Sequence, residues 1–365
     1  MTTDTSAPSP QPCATETSAG KSRLSLGVLN NYRDSDETRL FLTPEACGML
    51  GSMGVRVLME SGAGIDITYS DEDYASNGVE ITSRAAALGC DVVLSVRSLK
   101  AEDIALMRTG CSLFTLSDQD LPREAVHSLL DRSISLLALD HIYSANKHYT
   151  IARVLDEIDG RAAILYAQEG LSFLGEGKGV LLSGVPGTEP CEVLIIGEGW
   201  RAQSAAKAAI GLGARVTLMD NDIAALFEAE RNCGPMLDTT AIHPHVLYNK
   251  VKSADVIILD ACTREFTFPR QLSAAMKDNV YFMDLSETVP SLIVPRTVAM
   301  AVSNVLINFF AETLQMGGVQ RQIQSMPGVQ SAVVTYQGHL VDKLIAVRHG
   351  MYAVSLQVLL GAAPN

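Results

Sequence analysis

The sequence predicts an α/β protein made of two Rossmann-like, doubly wound domains that enclose a cleft and are joined by a long connecting helix. Three observations predict it. Short aliphatic runs alternate with helical stretches in both halves, the pattern of βαβ units on a parallel sheet. One of these runs leads directly into a glycine-rich turn, Gly197-Glu198-Gly199-Trp200-Arg201-Ala202. Between the halves, residues 151–174 keep helical spacing, interrupted only by Gly160 and Gly170.

The elements follow in order. Residues 24–29 form a strand-like run. Thr43 is placed to cap a helix whose first position is Pro44, which is pre-set for a helix start. That helix should end near Gly51 to Gly54. Further strands are expected at 55–59, 91–96, 112–116 and 135–139, with a turn at Gly62-Ala63-Gly64 and a short acidic-capped helix at 71–78. Past the connecting helix, residues 175–190 read as a Gly/Pro-rich loop. The second unit then runs through strands at 192–196, 215–219, 256–259 and 280–283, with a helix at 204–212 after the first. Helices at 296–316 and 352–360 close the chain.

Composition narrows the function. A chain of 365 residues suits two domains. Its net charge of −13 disfavours nucleic acid and anionic membranes as partners, because both need clustered Lys and Arg. No uninterrupted apolar run reaches the ~18–20 residues of a membrane span; the richest, 298–310, contains Ser303 and Asn304. Residues 1–22 are Ser/Thr/Pro/Ala-rich and are expected to be a disordered tail, with no apolar leader. The seven cysteines are scattered without a C-x-x-C pair, which excludes a disulfide scaffold and the usual zinc spacings and fits a cytoplasmic, reduced protein. Cys262, on the loop after a strand, has no evident base to activate it and reads as structural. His243-Pro244-His245 resembles half a metal site but lacks a carboxylate or cysteine at matching spacing, so it reads as surface loop and no metal is expected.

The turn at Gly197 carries the strongest chemistry. It is G-x-G-x-x-A after a strand and before a helix. Gly197 permits the tight turn, Gly199 lets the backbone approach a pyrophosphate, and Ala202 keeps helix and strand close. The helix N-terminus offers N–H groups and a positive dipole end. The next strand ends at Asp220, 21 residues beyond Gly199, where a carboxylate accepts the ribose hydroxyls of NAD and repels the extra phosphate of NADP. Trp200 and Arg201 stand inside the loop, and Arg201 has phosphate or solvent as its candidate partners.

Over nearly its whole ordered length the chain resembles the alanine dehydrogenase and pyridine nucleotide transhydrogenase N-terminal family. The matching pieces include Thr38-Arg39-Leu40-Phe41-Leu42-Thr43-Pro44, Glu60-Ser61-Gly62-Ala63-Gly64, residues 91–97, Gly179 to Gly187 with its Gly-Val-Pro-Gly, the Gly197 loop, and Thr335-Tyr336-Gln337-Gly338. The resemblance implies that residues 23–150 plus about 300–365 bind substrate and that 175–298 bind NAD(P). It also implies an assembly of identical subunits, and hydride transfer coupled to amination of a 2-oxo acid.

The same comparison assigns roles and exposes departures. Arg39 falls on the arginine that holds the substrate carboxylate, and a bidentate guanidinium suits that task. Arg97 stands where the family has a lysine, keeping charge but losing any titrating amine. Asp118 falls near the position of the family's histidine. After Asp284, Glu287 and Thr288 stand where the acid/base aspartate is expected, and a segment lining the nicotinamide pocket is missing. Asp118 and Glu287 are candidate replacements, Asp284 is placed for the cleft at a strand end, and Asp118, Asp120 and Asp284 equally suit turn capping. His141 follows a strand end and is a candidate cleft residue; His127 reads as helix surface. The expectation is an NAD(P)-dependent oxidoreductase, using NAD in preference to NADP, that acts on a small carboxylate-bearing amino acid, 2-oxo acid or imine other than alanine. The alternatives are a redox-neutral enzyme with tightly held NAD and a non-catalytic NAD(H)-binding protein.

Overall fold

The computed structural model describes residues 24–33, 35–116, 121–144, 148, 150–197, 199–260 and 268–361. The expected tail at 1–22, Asp118 and Asp120, and Cys262 lie outside these residues. The first sheet is six-stranded and parallel: β1 (Ser25–Val28), β2 (Arg56–Glu60), β3 (Glu80–Thr82), β4 (Val92–Leu94), β5 (Ser112–Thr115) and β6 (Ser135–Ala138), in the order β3-β2-β1-β4-β5-β6. Its helices are α1 (Pro44–Ser52), α2 (Asp71–Ser76), α3 (Arg84–Leu88), α4 (Ala101–Leu106) and α5 (Arg123–Asp131). Local chemistry sets the starts. Thr43 Oγ1 accepts from the Ala46 amide with Pro44 as the first helical residue, as expected, and Ser70 with Asp73 forms a capping box on α2.

The connecting helix is α6 (Thr150–Leu171). Beyond it, β7 (Glu192–Ile196), α7 (Trp200–Gly211), β8 (Arg215–Met219), α8 (Ile223–Cys233), β9 (Leu237–Thr240), α9 (Pro244–Ser253), β10 (Val256–Leu259), α10 (Arg270–Ser273) and β11 (Tyr281–Asp284) build a second parallel sheet ordered β11-β10-β7-β8-β9. The chain ends with α11 (Pro295–Met316), α12 (Val319–Ser325), α13 (Pro327–Gln330), a hairpin of β12 (Thr335–Tyr336) and β13 (His339–Leu340), α14 (Lys343–His349) and α15 (Leu356–Leu359).

The two-sheet architecture agrees with the sequence expectation; several boundaries do not. The helix expected at 204–212 begins at Trp200, because Gly199 is already the extended N-cap residue. The helix expected at 352–360 shrinks to four residues, and α14 forms instead where Asp342 caps the Ile345 amide. Strands β3 and β9 carry sequences, Glu-Ile-Thr and Leu-Asp-Thr-Thr, too short and polar to show strand periodicity. Each gains its geometry from pairing at a sheet edge.

Packing joins the C-terminal segment to the first sheet. Val298, Val302, Leu306 and Phe310 of α11 share a core with Leu26, Met59 and Phe114. By length and composition α11 is apolar enough to cross a membrane, yet these four side chains lie inside this core. Ala138 at the end of β6 donates its amide to the Ala332 carbonyl, tying the last segment to the sheet edge.

Gly160 explains how α6 holds both units together. A Cβ there would lie 2.2 Å from the Arg201 carbonyl oxygen and 2.8 Å from the Ala205 amide. The glycine that reads as a weakness in a helix therefore lets α6 and α7 touch backbone to backbone. Gly160→Ala is expected to push α7 away, at a cost of about 1–3 kcal/mol in line with overpacked sites, and thermal unfolding measures it.

Candidate active site

In open parallel sheets ligands bind beyond the carboxyl ends of the strands, where the strand order reverses. The first sheet reverses between β1 and β4, the second between β7 and β10. Arg97 follows β4, Asp140 follows β6, Gly197 follows β7 and Asp260 follows β10. Two adjoining cavities lie here. One of about 310 Å³ is walled by Arg39, Arg97, Asp140, Asp156, Asp159 and Arg201. The other, about 530 Å³, is walled by Asp140, His141, His148, Arg153, Asp156 and Trp200. Residues from both sheets and from α6 therefore meet in one cleft, and Asp140 and Asp156 border both cavities.

Arg39 stands at this wall, with a partner that sequence reasoning missed. Glu37, fully buried, takes its guanidinium bidentately: Nε to Oε1 at 2.7 Å and Nη2 to Oε2 at 2.8 Å. The Arg39 amide also donates to Glu37 Oε1 at 3.0 Å, and Arg97 Nε reaches Oε2 at 3.1 Å. Burial alone would raise the Glu37 pKa, but hydrogen bonds and charge from Arg39, with Arg97 behind it, hold it below the usual carboxylate value. Arg39 is pushed above its already high value by the same pairing, against the opposing effect of burial. The remaining Nη1 faces Ser291 Oγ at 3.4 Å. Arg97, with its side chain 49% exposed, is the more open of the two guanidinium groups. The only sequence signal for Glu37 is its place two residues before Arg39.

The glycine loop has the geometry its sequence implies. Gly197 adopts φ +129°, and a Cβ there would lie 2.2 Å from the Asp260 carbonyl oxygen. Its amide donates to the Met219 carbonyl, fixing the loop to the end of β8. Gly199 is the extended N-cap of α7 and supplies no side-chain cap of its own. Ala202 is fully buried against the second core. Asp220 is buried at the carboxyl end of β8, and its Oδ1 accepts from the Asp222 amide at 2.8 Å. The neighbouring Asp222, which could have been confused with it, is used elsewhere: it caps α8 through the Ala224 and Ala225 amides.

Asp260 is the second group the sequence reading missed, although it carries the same signal as Asp220, a carboxylate directly after a strand. Its side chain is wholly buried; Oδ2 accepts from the Ala202 amide at 3.1 Å and Oδ1 meets Arg201 Nη2 at 2.8 Å. Arg201, expected at phosphate or in solvent, instead links this carboxylate to the Leu285 carbonyl at 2.9 Å, because α7 turns the guanidinium inward toward β10 and β11. Trp200 is 38% exposed, with the Arg153 guanidinium 3.8 Å above its ring.

The remaining candidates separate. Asp284 ends β11, but its Oδ1 accepts from the amide and hydroxyl of Ser286 at 2.8 and 2.7 Å. It closes a turn and lines neither cavity. Glu287 is exposed just beyond. His141 does line the larger cavity, while His127 is exposed on α5 near Arg123. His243 and His245 stack at the exposed start of α9, and among the described residues no three His, Cys, Asp or Glu are grouped to hold a metal. Asp156 gave no sequence signal, since it sits within the expected connecting helix, 151–174, with no motif around it. Burial raises its pKa to about 6; Arg201 opposes the rise, and Asp260, Asp159 and Asp140 add to it.

The residues fit a dinucleotide's phosphates: a glycine turn that no Cβ could occupy, a helix N-terminus led by Gly199, and a buried acid beyond the next strand. The charge of Asp260 beneath the loop is matched by Arg201.

This fold and cleft define a two-domain, doubly wound protein of the Rossmann-like class. The chain belongs to the alanine dehydrogenase/PNT family: the N-terminal domain of that family matches residues 27–154 and its C-terminal domain residues 163–276. It is 30% identical over 235 residues to the alanine dehydrogenase of Methanococcus maripaludis, a match spanning 64% of this chain and 63% of that protein. It is 24% identical to the alanine dehydrogenase of Staphylococcus haemolyticus over 92% of this chain and 98% of that one. Two solved structures share the fold: an L-alanine dehydrogenase (TM-score 0.80, 22% identity, 89% and 98% of the two chains) and a transhydrogenase from Sinorhizobium meliloti (0.74, 18%, 87% and 100%).

Proposed function

We propose that the protein is an NAD-dependent oxidoreductase that interconverts a small carboxylate-bearing 2-oxo acid or imine with its amine, with a substrate other than alanine. The observation that carries this is the cleft, where two arginines stand beside the N-terminus of a helix led by a glycine turn. In this reading the first sheet with the C-terminal helices holds substrate, and residues 175–298 hold the dinucleotide. Arg97, the more open guanidinium, meets the substrate carboxylate, and Arg39 backs it through the edge not taken by Glu37. Gly197, Gly199 and the α7 N-terminus seat the pyrophosphate, and Asp220 receives the ribose hydroxyls. The dinucleotide supplies or accepts hydride when bound; the chain's own residues orient the substrate and move its proton. The proposal includes a homo-oligomer in the cytoplasm, and the five described cysteines, all unpaired, suit a reducing compartment.

A non-catalytic NAD(H)-binding protein is the second reading, favoured by the hold of Glu37 on Arg39. Trp200, the only tryptophan, tests the nucleotide half. NADH is expected to change its emission saturably and NADPH more weakly. Asp220→Ala is expected to weaken NADH binding about tenfold, the loss of one hydrogen bond to a charged group, and to narrow the difference between the two nucleotides. A folded protein whose emission ignores both nucleotides would overturn the proposal. If NADH binds but never oxidises with a panel of 2-oxo acids plus ammonium and cyclic imino acids, the second reading stands.

A further inference from the structure

Reduction of an imine or carbonyl needs a proton as well as a hydride, and the family's histidine and aspartate have no counterparts here among the described residues. The structure offers one carboxyl group in the right place. Asp156 borders both cleft cavities, between the wall that carries Arg39 and Arg97 and the wall that carries Trp200 at the head of the glycine-turn helix. A substrate held at the arginine wall would therefore have Asp156 beside it. Its side chain is 38% exposed, so it opens to the cavity and can exchange protons with water, and Arg201 Nε lies 3.7 Å from its Oδ1.

We propose that Asp156 is the general acid/base of this cleft. The inference rests on the oxidoreductase reading above. In the reducing direction the acid form gives its proton to the substrate nitrogen as hydride from the reduced dinucleotide reaches the carbon. The C=N π bond breaks, one C–H and one N–H bond form, and the oxidised dinucleotide and the Asp156 carboxylate remain. Water in the half-open cavity then restores the proton. A 2-oxo acid first takes up ammonia: the C–N bond forms as the C=O π bond breaks, the carbinolamine oxygen leaves as water with the Asp156 proton, the iminium proton returns to the carboxylate, and the imine is then reduced by the same accounting. In the oxidising direction the carboxylate takes the proton back.

The surroundings match this task. Burial raises the Asp156 pKa to about 6, and Asp260 after β10, Asp159 on α6 and Asp140 after β6 add to the rise. Arg201 on α7 opposes the rise, and Arg153 on α6, Arg39, Arg97, His141 and His148 line the surrounding walls. A group with that pKa holds an appreciable acid fraction just below neutral pH and gives its proton readily, as efficient general acids do.

The test compares wild type with Asp156→Asn and Asp156→Glu. pH-difference infrared spectra of the protein alone should show a carboxyl titrating near pH 6, absent in Asp156→Asn and present but shifted in Asp156→Glu. NADH should still change Trp200 emission in both variants, showing that they are folded. With two probes, 2-oxobutyrate plus ammonium and Δ1-piperideine-2-carboxylate, NADH oxidation should slow as pH rises through about 6. It should fall about 100-fold or more in Asp156→Asn and recover in part in Asp156→Glu. A carboxyl that still titrates near 6 in Asp156→Asn overturns the proposal. So does wild-type turnover in that variant, or an NADH-binding wild type in which neither probe supports NADH oxidation governed by such a group. Failure of wild type to bind NADH overturns instead the reading on which the proposal rests, and the proposal falls with it.

Discussion

Replacing Glu37 with glutamine is expected to destabilise the protein by about 3–5 kcal/mol, the usual penalty for removing one partner of a buried ion pair. Glu37 is fully buried and accepts from three groups of Arg39 and one of Arg97. The amide is neutral, and its NH₂ group would face a guanidinium that also only donates. Arg39, 5% exposed, would lose the carboxylate that takes it bidentately and keep only the electrostatic support of Asp159 and Asp140. Urea unfolding at neutral pH measures the loss. The pH dependence follows from the lowered pKa of Glu37. Its pairing contributes stability above the unfolded carboxyl value of about 4.3, and that contribution disappears as pH falls through the lower folded value. The gap between wild type and Glu37→Gln should therefore be full near pH 7 and close as the solution is acidified below about 4. A gap that stays constant with pH would rule out this ion pair as its source.

Replacing Gly197 with alanine is expected to abolish nucleotide binding, a loss of about 100-fold or more for a displaced phosphate seat. Two effects combine. At φ +129° a side chain is strained whatever the space, and the new Cβ would lie 2.2 Å from the Asp260 carbonyl. Backbone must move to relieve that contact, and the same residue, Asp260, holds the Ala202 amide and Arg201 through its carboxylate. The loop, the α7 N-terminus and the end of β10 therefore shift together. Trp200 emission with NADH reads the result, and circular dichroism confirms that the fold survives. Gly187→Ala is the control, because that glycine has positive φ but nothing within 4 Å of its Cβ; it should cost stability and leave nucleotide binding intact. Unchanged binding in Gly197→Ala would remove the loop from the cofactor site.

The parts of the protein legible in the sequence are those encoded within a few residues. The Thr43-Pro44 start of α1, the buried aliphatic strands, and the strand–glycine–helix signature at Gly197 are local patterns of spacing and backbone freedom. They forecast the two parallel sheets, the connecting helix and the nucleotide half. Asp220 was legible for the same reason, as an acid directly after a strand.

Side-chain partnership was not legible. Arg201 reads from the sequence as a loop cation facing phosphate or solvent; in the fold it turns inward to Asp260, 59 residues away in sequence. Asp284 reads either as a cleft acid or as a turn cap, and only the fold shows its oxygen accepting from Ser286, two residues on. Only the assembled structure brings Asp156 and Asp159 of a helix to face Asp140 of one sheet and Asp260 of the other. The reason is physical. Backbone geometry responds to short-range sterics and to hydrophobic period, which sequence spacing records. Charge pairing and desolvation respond to distances and burial that exist only after two sheets close on α6. The sequence by itself therefore determined the architecture and the glycine seat. Tertiary structure decided which charged groups meet in the cleft, and so which of them can act there.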